Sequence, residues 1–227
     1  LLLLVVTFAA SGQLSASSHE GAMTVAGVEF LGEDIIESGT LFAGTEIGGL
    51  SSITYDAGQG VYHTLSDDQG TIDPVRYYTV DIDLSDGTLD DGDVSFVDVR
   101  QLFEYQKSPF PPGGLDPEGF TLGREGFFFM SSEGNIFADP IIDPFIRRYN
   151  HNGRVTADLP VPDKYIPNGV DWGVRFNLGF ESLNPTPDGR SLVTAGEAAL
   201  FQDGPAPSFT NGSLARILVY DLRKHIP

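Results

Sequence analysis

Six acidic side chains recur at similar places along this chain, and they are the residues best suited to chemistry. Carboxylates that face one cavity repel one another and lose hydration, so they favour a bound cation. Oxygen ligands without thiolates select hard ions, and calcium accepts six to eight oxygens in a loose geometry, whereas magnesium needs a tighter octahedral site. The sequence therefore predicts a calcium site, with magnesium second, formed by Asp67, Asp68, Glu118, Glu133, Glu181 and Glu197. The alternative is that these acids cap turns by accepting backbone N–H groups.

The acids belong to a pattern that occurs three times, at intervals of about 65 residues. The copies begin near residues 49, 116 and 179, and each continues as strand, turn, strand, loop and strand. Glu118 and Glu181 share one position near the start of their copies, where the first copy has Ser51. The second strand of each copy ends in an acid, and these acids are Asp67, Glu133 and Glu197.

Three such units predict an all-β fold, a partial β-propeller of about three blades of antiparallel strands. Helical periodicity is nearly absent, and the 27 glycines and 15 prolines suit many short strands joined by turns. Propellers need about four blades or more, so we expect this chain to stop before the ring closes. Because equivalent positions of radial blades lie equally far from the axis, the repeated acids should converge at one end of a central channel. An open stack of three antiparallel sheets is the structural alternative.

The charge and composition exclude several classes of protein. The formal net charge is -19, from 13 Lys+Arg against 32 Asp+Glu. This balance argues against a nucleic-acid partner, which needs clustered cations, and against an anionic membrane surface. The sequence has no cysteine, which also excludes disulfides, thiolate zinc sites and cysteine nucleophiles.

The N-terminal segment resembles the remnant of a secretory signal. Residues 1–10 are almost entirely apolar, too short to span a bilayer, and are followed by small residues that suit cleavage. We therefore predict a signal remnant at 1–17 and an incomplete propeller domain at 18–227. The mature protein is expected to be secreted or periplasmic, with no membrane partner once the signal is removed.

Five ordered motifs lie at 65–68 (Leu-Ser-Asp-Asp), 114–120 (Gly-Leu-Asp-Pro-Glu-Gly-Phe), 131–134 (Ser-Ser-Glu-Gly), 177–183 (Asn-Leu-Gly-Phe-Glu-Ser-Leu) and 186–190 (Thr-Pro-Asp-Gly-Arg). Together they resemble the phytase-like domain family, described as having the esterase-like activity of phytase, so the domain predicted at 18–227 is expected to be phytase-like. The likeness runs from about Gly44 to Asp221. It implies an exported β-propeller longer than this chain, which hydrolyses phosphoric esters with calcium as its cofactor.

The favoured function is thus an exported calcium-dependent phosphoric ester hydrolase, acting on a small phosphorylated or ester substrate. Guanidinium groups would hold the phosphate oxygens, and the candidates are Arg76, Arg148 and Arg175. The alternative is a non-catalytic secreted propeller that binds a protein or glycan, with calcium purely structural. A lactonase-like calcium propeller is a third class, but it would need a histidine at the site.

Overall fold

The computed structural model describes residues 2–3 and 26–223 and contains strands, turns and four short 3-10 helices in these ranges. The 3-10 helices are Tyr105–Lys107, Arg124–Gly126, Asp163–Tyr165 and Phe201–Asp203. The strands are β1 (Leu2–Leu3), β2 (Asp34–Ile35), β3 (Leu41–Phe42), β4 (Thr45–Glu46), β5 (Leu50–Asp56), β6 (Val61–Ser66), β7 (Arg76–Ile82), β8 (Val94–Gln101), β9 (Pro117–Leu122), β10 (Phe128–Ser132), β11 (Phe145–Tyr149), β12 (Val155–Leu159), β13 (Phe180–Pro185), β14 (Ser191–Gly196) and β15 (Ile217–Asp221).

Apart from Leu2 and Leu3, which pair with β2, the predicted signal remnant 1–17 lies outside the described residues. The boundary at residue 18 lies outside them too, so the division into signal and domain stays a prediction. Within the described ranges, no helix is long and apolar enough to cross a membrane.

Each copy of the repeat forms one antiparallel sheet in which consecutive strands are neighbours. The first sheet is β5-β6-β7-β8, the second is β9-β10-β11-β12, and the third is β13-β14-β15. Two-stranded ladders, β1 with β2 and β3 with β4, lie outside the three main sheets. The predicted all-β class and its antiparallel blades are confirmed. That the chain stops before the ring closes stays a prediction.

The first strands of the three sheets, β5, β9 and β13, lie side by side as the inner strands of propeller blades do. Ser51 Oγ on β5 donates to the carbonyl of Glu118 on β9 at 3.0 Å. Ser131 Oγ accepts from the N–H of Gly119 at 2.9 Å and donates to the carbonyl of Phe180 on β13 at 3.0 Å. These bonds join successive sheets through their inner strands, an arrangement that differs from an open stack.

Apolar side chains fill the space between successive sheets. Phe120 and Phe128 stack with ring centroids 5.0 Å apart in the cluster between the first two sheets. Phe180 and Leu192 belong to the cluster between the second and third. Burying one such side chain contributes about 1.5–3 kcal/mol, so these two layers fix the angle between blades.

Gly119 permits the close approach of the inner strands. A Cβ at this position would lie 2.6 Å from Ser131 Oγ and 2.8 Å from the Cβ of Leu183. Any side chain here would push β9 away from β13, and with it the neighbouring residue Glu118.

Candidate metal centre

The same backbone hydrogen bond closes the start of all three sheets. The N–H of Asp67 donates to the carbonyl of Gly49 at 2.6 Å. In the second sheet Glu133 donates to Asp116 at 2.9 Å, and in the third Glu197 donates to Gly179 at 3.0 Å. We call this end of the inner strands, residues 49–51, 116–118 and 179–181 with the three donors, the mouth.

The inner strands carry an irregularity at equivalent places near the mouth. In β5 the register shifts between Leu50 and Ser52, and in β13 it shifts between Phe180 and Ser182. The residues left unpaired are Ser51 and Glu181, and β9 has the matching shift around Glu118. A β-bulge re-aims the extra side chain, so the repeat delivers Ser51, Glu118 and Glu181 to one end of the inner strands.

Three glutamates meet at the mouth, and we call them the glutamate trio: Glu133, Glu181 and Glu197. One carboxylate oxygen of each lies within 4.8 Å of the other two. Glu133 is buried, Glu181 is half-buried and Glu197 is exposed, so the trio reaches from the interior to solvent. The N–H of Gly179 donates to Oε1 of Glu133 and fixes the deepest member.

The trio carries more negative charge than its surroundings stabilise. Burial, together with a hydrogen bond to Glu181, raises the pKa of Glu133 to about 9. Burial also raises the pKa of Glu181, and the nearby charge of Glu197 adds to that shift, whereas the hydrogen bond from Glu133 opposes it. Without a cation, a proton on Glu133 is therefore shared with Glu181 near neutral pH.

Glu118 lies beside the trio and lines a cavity of about 460 Å³ with Asp67 and Asp116. Burial, followed by the charges of Glu181 and Asp116, raises the pKa of Glu118 to about 8. Burial and the Asp116 charge raise the pKa of Asp67 as well. These shifts show that the acids of the second and third sheets and Asp67 share one electrostatic environment.

Asp68 has the opposite environment. Its carboxylate accepts from Arg76 Nη1 at 2.8 Å and from the N–H groups of Thr71, Ile72 and Asp73. Although burial opposes it, this hydrogen bonding lowers the pKa of Asp68 to about 2. Asp68 thus holds the loop 68–73 closed, and both of its carboxylate oxygens already accept hydrogen bonds from the chain.

The three predicted anion-binding arginines do not meet at the mouth. Arg76 lines the cavity, but it is buried at 2% exposure and also donates to Tyr78 Oη and the carbonyl of Glu46. Arg175 donates to the carbonyls of Ala199 and Gly204 and stacks on Phe201.

Arg148 lies near the far end of β11, away from the mouth, and strand pairing shows that it is not equivalent to Arg76. Tyr77 pairs with Leu65, and Ile146 pairs with Ser131, each partner standing two residues before the repeated acid. The residue equivalent to Arg76 is therefore Phe145, and Arg148 stands three residues further along the strand.

Sequence reasoning placed Asp116 and Asn177 within motifs without assigning them a role, and both line the cavity. Asp116 accepts from Gln69 Nε2 at 2.6 Å. Asn177 has φ 52, a left-handed conformation that asparagine tolerates better than most residues. The available signal was their position, within two residues of Glu118 and Gly179 respectively.

The donor set fits calcium. Two oxygens bound to one calcium ion at about 2.3–2.6 Å lie at most about 5 Å apart, which the 4.8 Å spacing of the trio satisfies. Every ligand offered is a carboxylate oxygen, as hard cations prefer. A cation here would also replace the proton that the pair Glu133 and Glu181 otherwise shares. That these residues bind a metal stays a prediction.

Comparisons with known proteins place this geometry in context. An uncharacterized secreted protein of Arthroderma benhamiae is 28% identical over 137 residues, which cover 50% of this chain and 25% of that protein. The match therefore spans a quarter of the relative's length.

Two solved structures are similar at low identity. The Dos1 propeller matches with 11% identity and a TM-score of 0.44, covering 87% of this chain and 38% of that one. The periplasmic gluconolactonase PpgL of Pseudomonas aeruginosa matches with 12% identity and a TM-score of 0.36, covering 67% of this chain and 38% of that one.

The sequence also matches one protein family over residues 45–226, a range that contains every acid of the mouth. Because this match covers most of the chain, the protein belongs to the Phytase-like family, whose description reads esterase-like activity of phytase.

Proposed function

We propose that this chain carries the cation-binding end of an exported, calcium-dependent hydrolase of phosphoric esters. The observation that carries the proposal is the glutamate trio, whose oxygens lie within 4.8 Å of one another without an internal cation bonded to them among the described residues. Family membership supports ester hydrolysis, and the secreted relative supports export.

Glu133, Glu181 and Glu197 would hold the ion, while Asp67 and Asp116 border the adjoining cavity. A calcium ion held there would supply charge neutralisation for the ester and Lewis acidity. The N–H of Gly179 keeps the Glu133 carboxylate oriented towards the other two.

Glu118 is suited to handle a proton in this cavity. Burial, followed by the charges of Glu181 and Asp116, raises the pKa of Glu118 to about 8 before a cation is bound. A cation at the trio would cancel part of the charge effect, but the larger effect of burial remains and favours protonation of this carboxyl group. It can therefore give a proton to the leaving oxygen of an ester, the task of a general acid. Burial beside the trio produces this property, so the role of Glu118 depends on the acids around it.

The test is hydrolysis by the full-length protein of a panel of phosphate monoesters, carboxylic esters and lactones, with calcium or with a chelator. We expect phosphate monoesters to be cleaved in calcium and the rate to fall about 100-fold or more with chelator or in Glu181→Gln, since metal catalysis supplies several kcal/mol. Glu125→Gln is the matched control because it lies beyond the other end of β9. Phosphoesterase activity that chelator leaves unchanged would overturn the proposal.

One observation favours a second candidate, a propeller that binds a protein or glycan with structural calcium. Arg76, the arginine that lines the cavity, is held by Asp68 and Tyr78. Calcium binding at the trio with no hydrolysis of any ester in the panel would support this candidate over the hydrolase.

A further inference from the structure

A second cleft lies at the opposite end of the same strands, between the second and third sheets. Its volume is about 290 Å³, and the hairpin turns at 123–127 and 186–190 form its rim. β9 runs from Glu118 at the mouth to this rim, roughly 20 Å away at about 3.3 Å per residue. The cleft is therefore separate from the glutamate trio.

Four arginines line this cleft: Arg124, Arg148, Arg190 and Arg223. The chain has 13 Lys+Arg against 32 Asp+Glu, so a concentration of cations in one cavity runs against its overall charge. Glu125 lines the cleft as well, which leaves cations in excess. A cleft lined mainly by one sign of charge concentrates ligands of the other sign.

Two of these arginines have no carboxylate partner within 4.0 Å in the part of the chain that the structure describes. Arg148 donates through Nε to Thr156 Oγ1 at 3.0 Å and stacks on Phe127 at 4.6 Å. Arg124 donates to the carbonyl of Asp188. Both side chains are held in place by neutral groups, and their remaining N–H donors are available to an oxyanion.

The other two arginines form ion pairs at the rim. Arg190 lies 3.8 Å from Asp188, and Arg223 lies 2.8 Å from Asp221. Both arginine side chains are 65% exposed, so these pairs are weak and can rearrange around a ligand.

The floor of the cleft is apolar. Phe129 and Leu159 are 5% and 4% exposed, and Ala157 and Leu222 complete the surface beside them. Ligand pockets typically combine such an apolar lining with a few charged groups that orient the ligand. The cleft thus offers an apolar floor next to two unmatched guanidinium groups.

We propose that this cleft binds a small organic anion, a carboxylate or phosphate monoester carried on an aromatic ring or short aliphatic chain. The oxyanion bonds to Arg124 and Arg148, and the apolar part lies on Phe129 and Leu159. A site at this end does not depend on calcium, and it stands whether or not the mouth hydrolyses esters.

The experiment is calorimetric titration of the full-length protein in chelator, with phenyl phosphate, benzoate and neutral benzyl alcohol as probes. We expect one or both anions to bind and benzyl alcohol not to, and the ratio of the two anion affinities shows which oxyanion is preferred. Arg148→Gln and Arg124→Gln should each weaken binding about 10-fold, because a hydrogen bond to a charged group contributes about that factor.

Arg100→Gln is the matched control, since Arg100 is an exposed arginine that pairs with Asp98 in the first sheet. Glu133→Gln should also bind normally, which separates this cleft from the mouth. Equal binding of the alcohol, no binding of either anion at millimolar concentration, or unchanged affinity in Arg124→Gln would overturn the proposal. Because Arg124 is exposed and lies in a turn, that variant decides the matter even if Arg148→Gln folds poorly.

Discussion

Two neighbouring groups of acids at this end of the sheets, Asp68 and the glutamate trio, hold buried negative charge in opposite ways. In the first sheet Asp68 is paired with Arg76 at 2.8 Å, and its pKa falls to about 2. In the second and third sheets Glu133 and Glu181 meet one another, and the pKa of Glu133 rises to about 9. The three sheets share their closing hydrogen bonds and their bulges, so the difference arises after the second strand of the first sheet, where Arg76 and the N–H groups of loop 68–73 surround Asp68.

The difference lies in whether the chain supplies its own cation. Arg76 neutralises Asp68 from within the chain, and the resulting ion pair is structural. The glutamate trio has no such arginine bonded to it among the described residues, so its charge is left for an ion from solution. The repeat therefore carries a fixed ion pair after the second strand of its first copy and an open cation site where its second and third copies meet.

The largest effect that this comparison predicts is at the ion pair of Asp68 and Arg76. Asp68→Asn removes the closer carboxylate partner of the buried Arg76 and leaves it only Asp73 at 3.8 Å, so it should lower the free energy of unfolding by about 3 kcal/mol. Urea unfolding measures the loss, and calcium should not restore it. Asp98→Asn, which breaks the exposed pair with Arg100, is the control and should cost about 1 kcal/mol or less. A similar loss in both variants would remove the distinction between Asp68 and the glutamate trio.

In chelator, Asp68 and the glutamates with raised pKa should also change the free energy of unfolding with pH in opposite directions. The folded pKa values of Glu118 and Glu133, about 8 and about 9, lie above their ordinary 4.5. Between about pH 4.5 and about pH 9 the folded state therefore binds more protons than the unfolded state does. The free energy of unfolding should fall as pH rises through this range. Asp68, with a folded pKa of about 2 against 3.8, stabilises above about pH 4, and this contribution is lost as pH falls towards 2.

Urea midpoints measured from about pH 2 to about pH 9 check the acid effect and the alkaline effect separately. In Glu133→Gln the free energy of unfolding should fall less steeply with pH at neutral and alkaline pH. In Asp68→Asn the loss of stability as pH falls towards 2 should disappear. Stability that rises steadily from about pH 5 to about pH 9 would contradict the raised pKa values at the trio.

The smallest effect concerns Ser51, which occupies the glutamate position in the first sheet. Ser51→Ala loses the bond to the carbonyl of Glu118 and should cost about 1 kcal/mol, without changing the response to calcium. Ser52→Ala is the control, because Ser52 Oγ is buried and has no hydrogen-bond partner among the described residues. If Ser51→Ala weakened calcium binding by tenfold, the first sheet would have to be counted as part of the cation site.

Much of the mouth was predictable because a repeat fixes equivalent backbone positions. The spacing of Glu133 and Glu197 from the start of their copies indicated the end of the strands at which they lie. Glu118 and Glu181 shared one offset, and the structure shows bulges at both.

Side-chain partners were harder to predict than backbone positions. The bond between Asp68 and Arg76 depends on the conformation of loop 68–73, which no periodic pattern encodes. Arg76 and Arg148 both lie on a third strand just before a tyrosine, but strand register places them three residues apart in their sheets. Register is set by pairing across the sheet, and a local motif does not contain that information.

The most direct test of the central claim is a calorimetric titration of calcium into the full-length protein, Glu181→Gln and Glu125→Gln. We predict that the wild type and Glu125→Gln bind calcium alike and are stabilised by about 2.7 kcal/mol at a free concentration of about 100 Kd. Glu181→Gln should lose most of this binding because it removes one of three converging carboxylates. Equal calcium binding in all three proteins would contradict the assignment of the glutamate trio as the cation site.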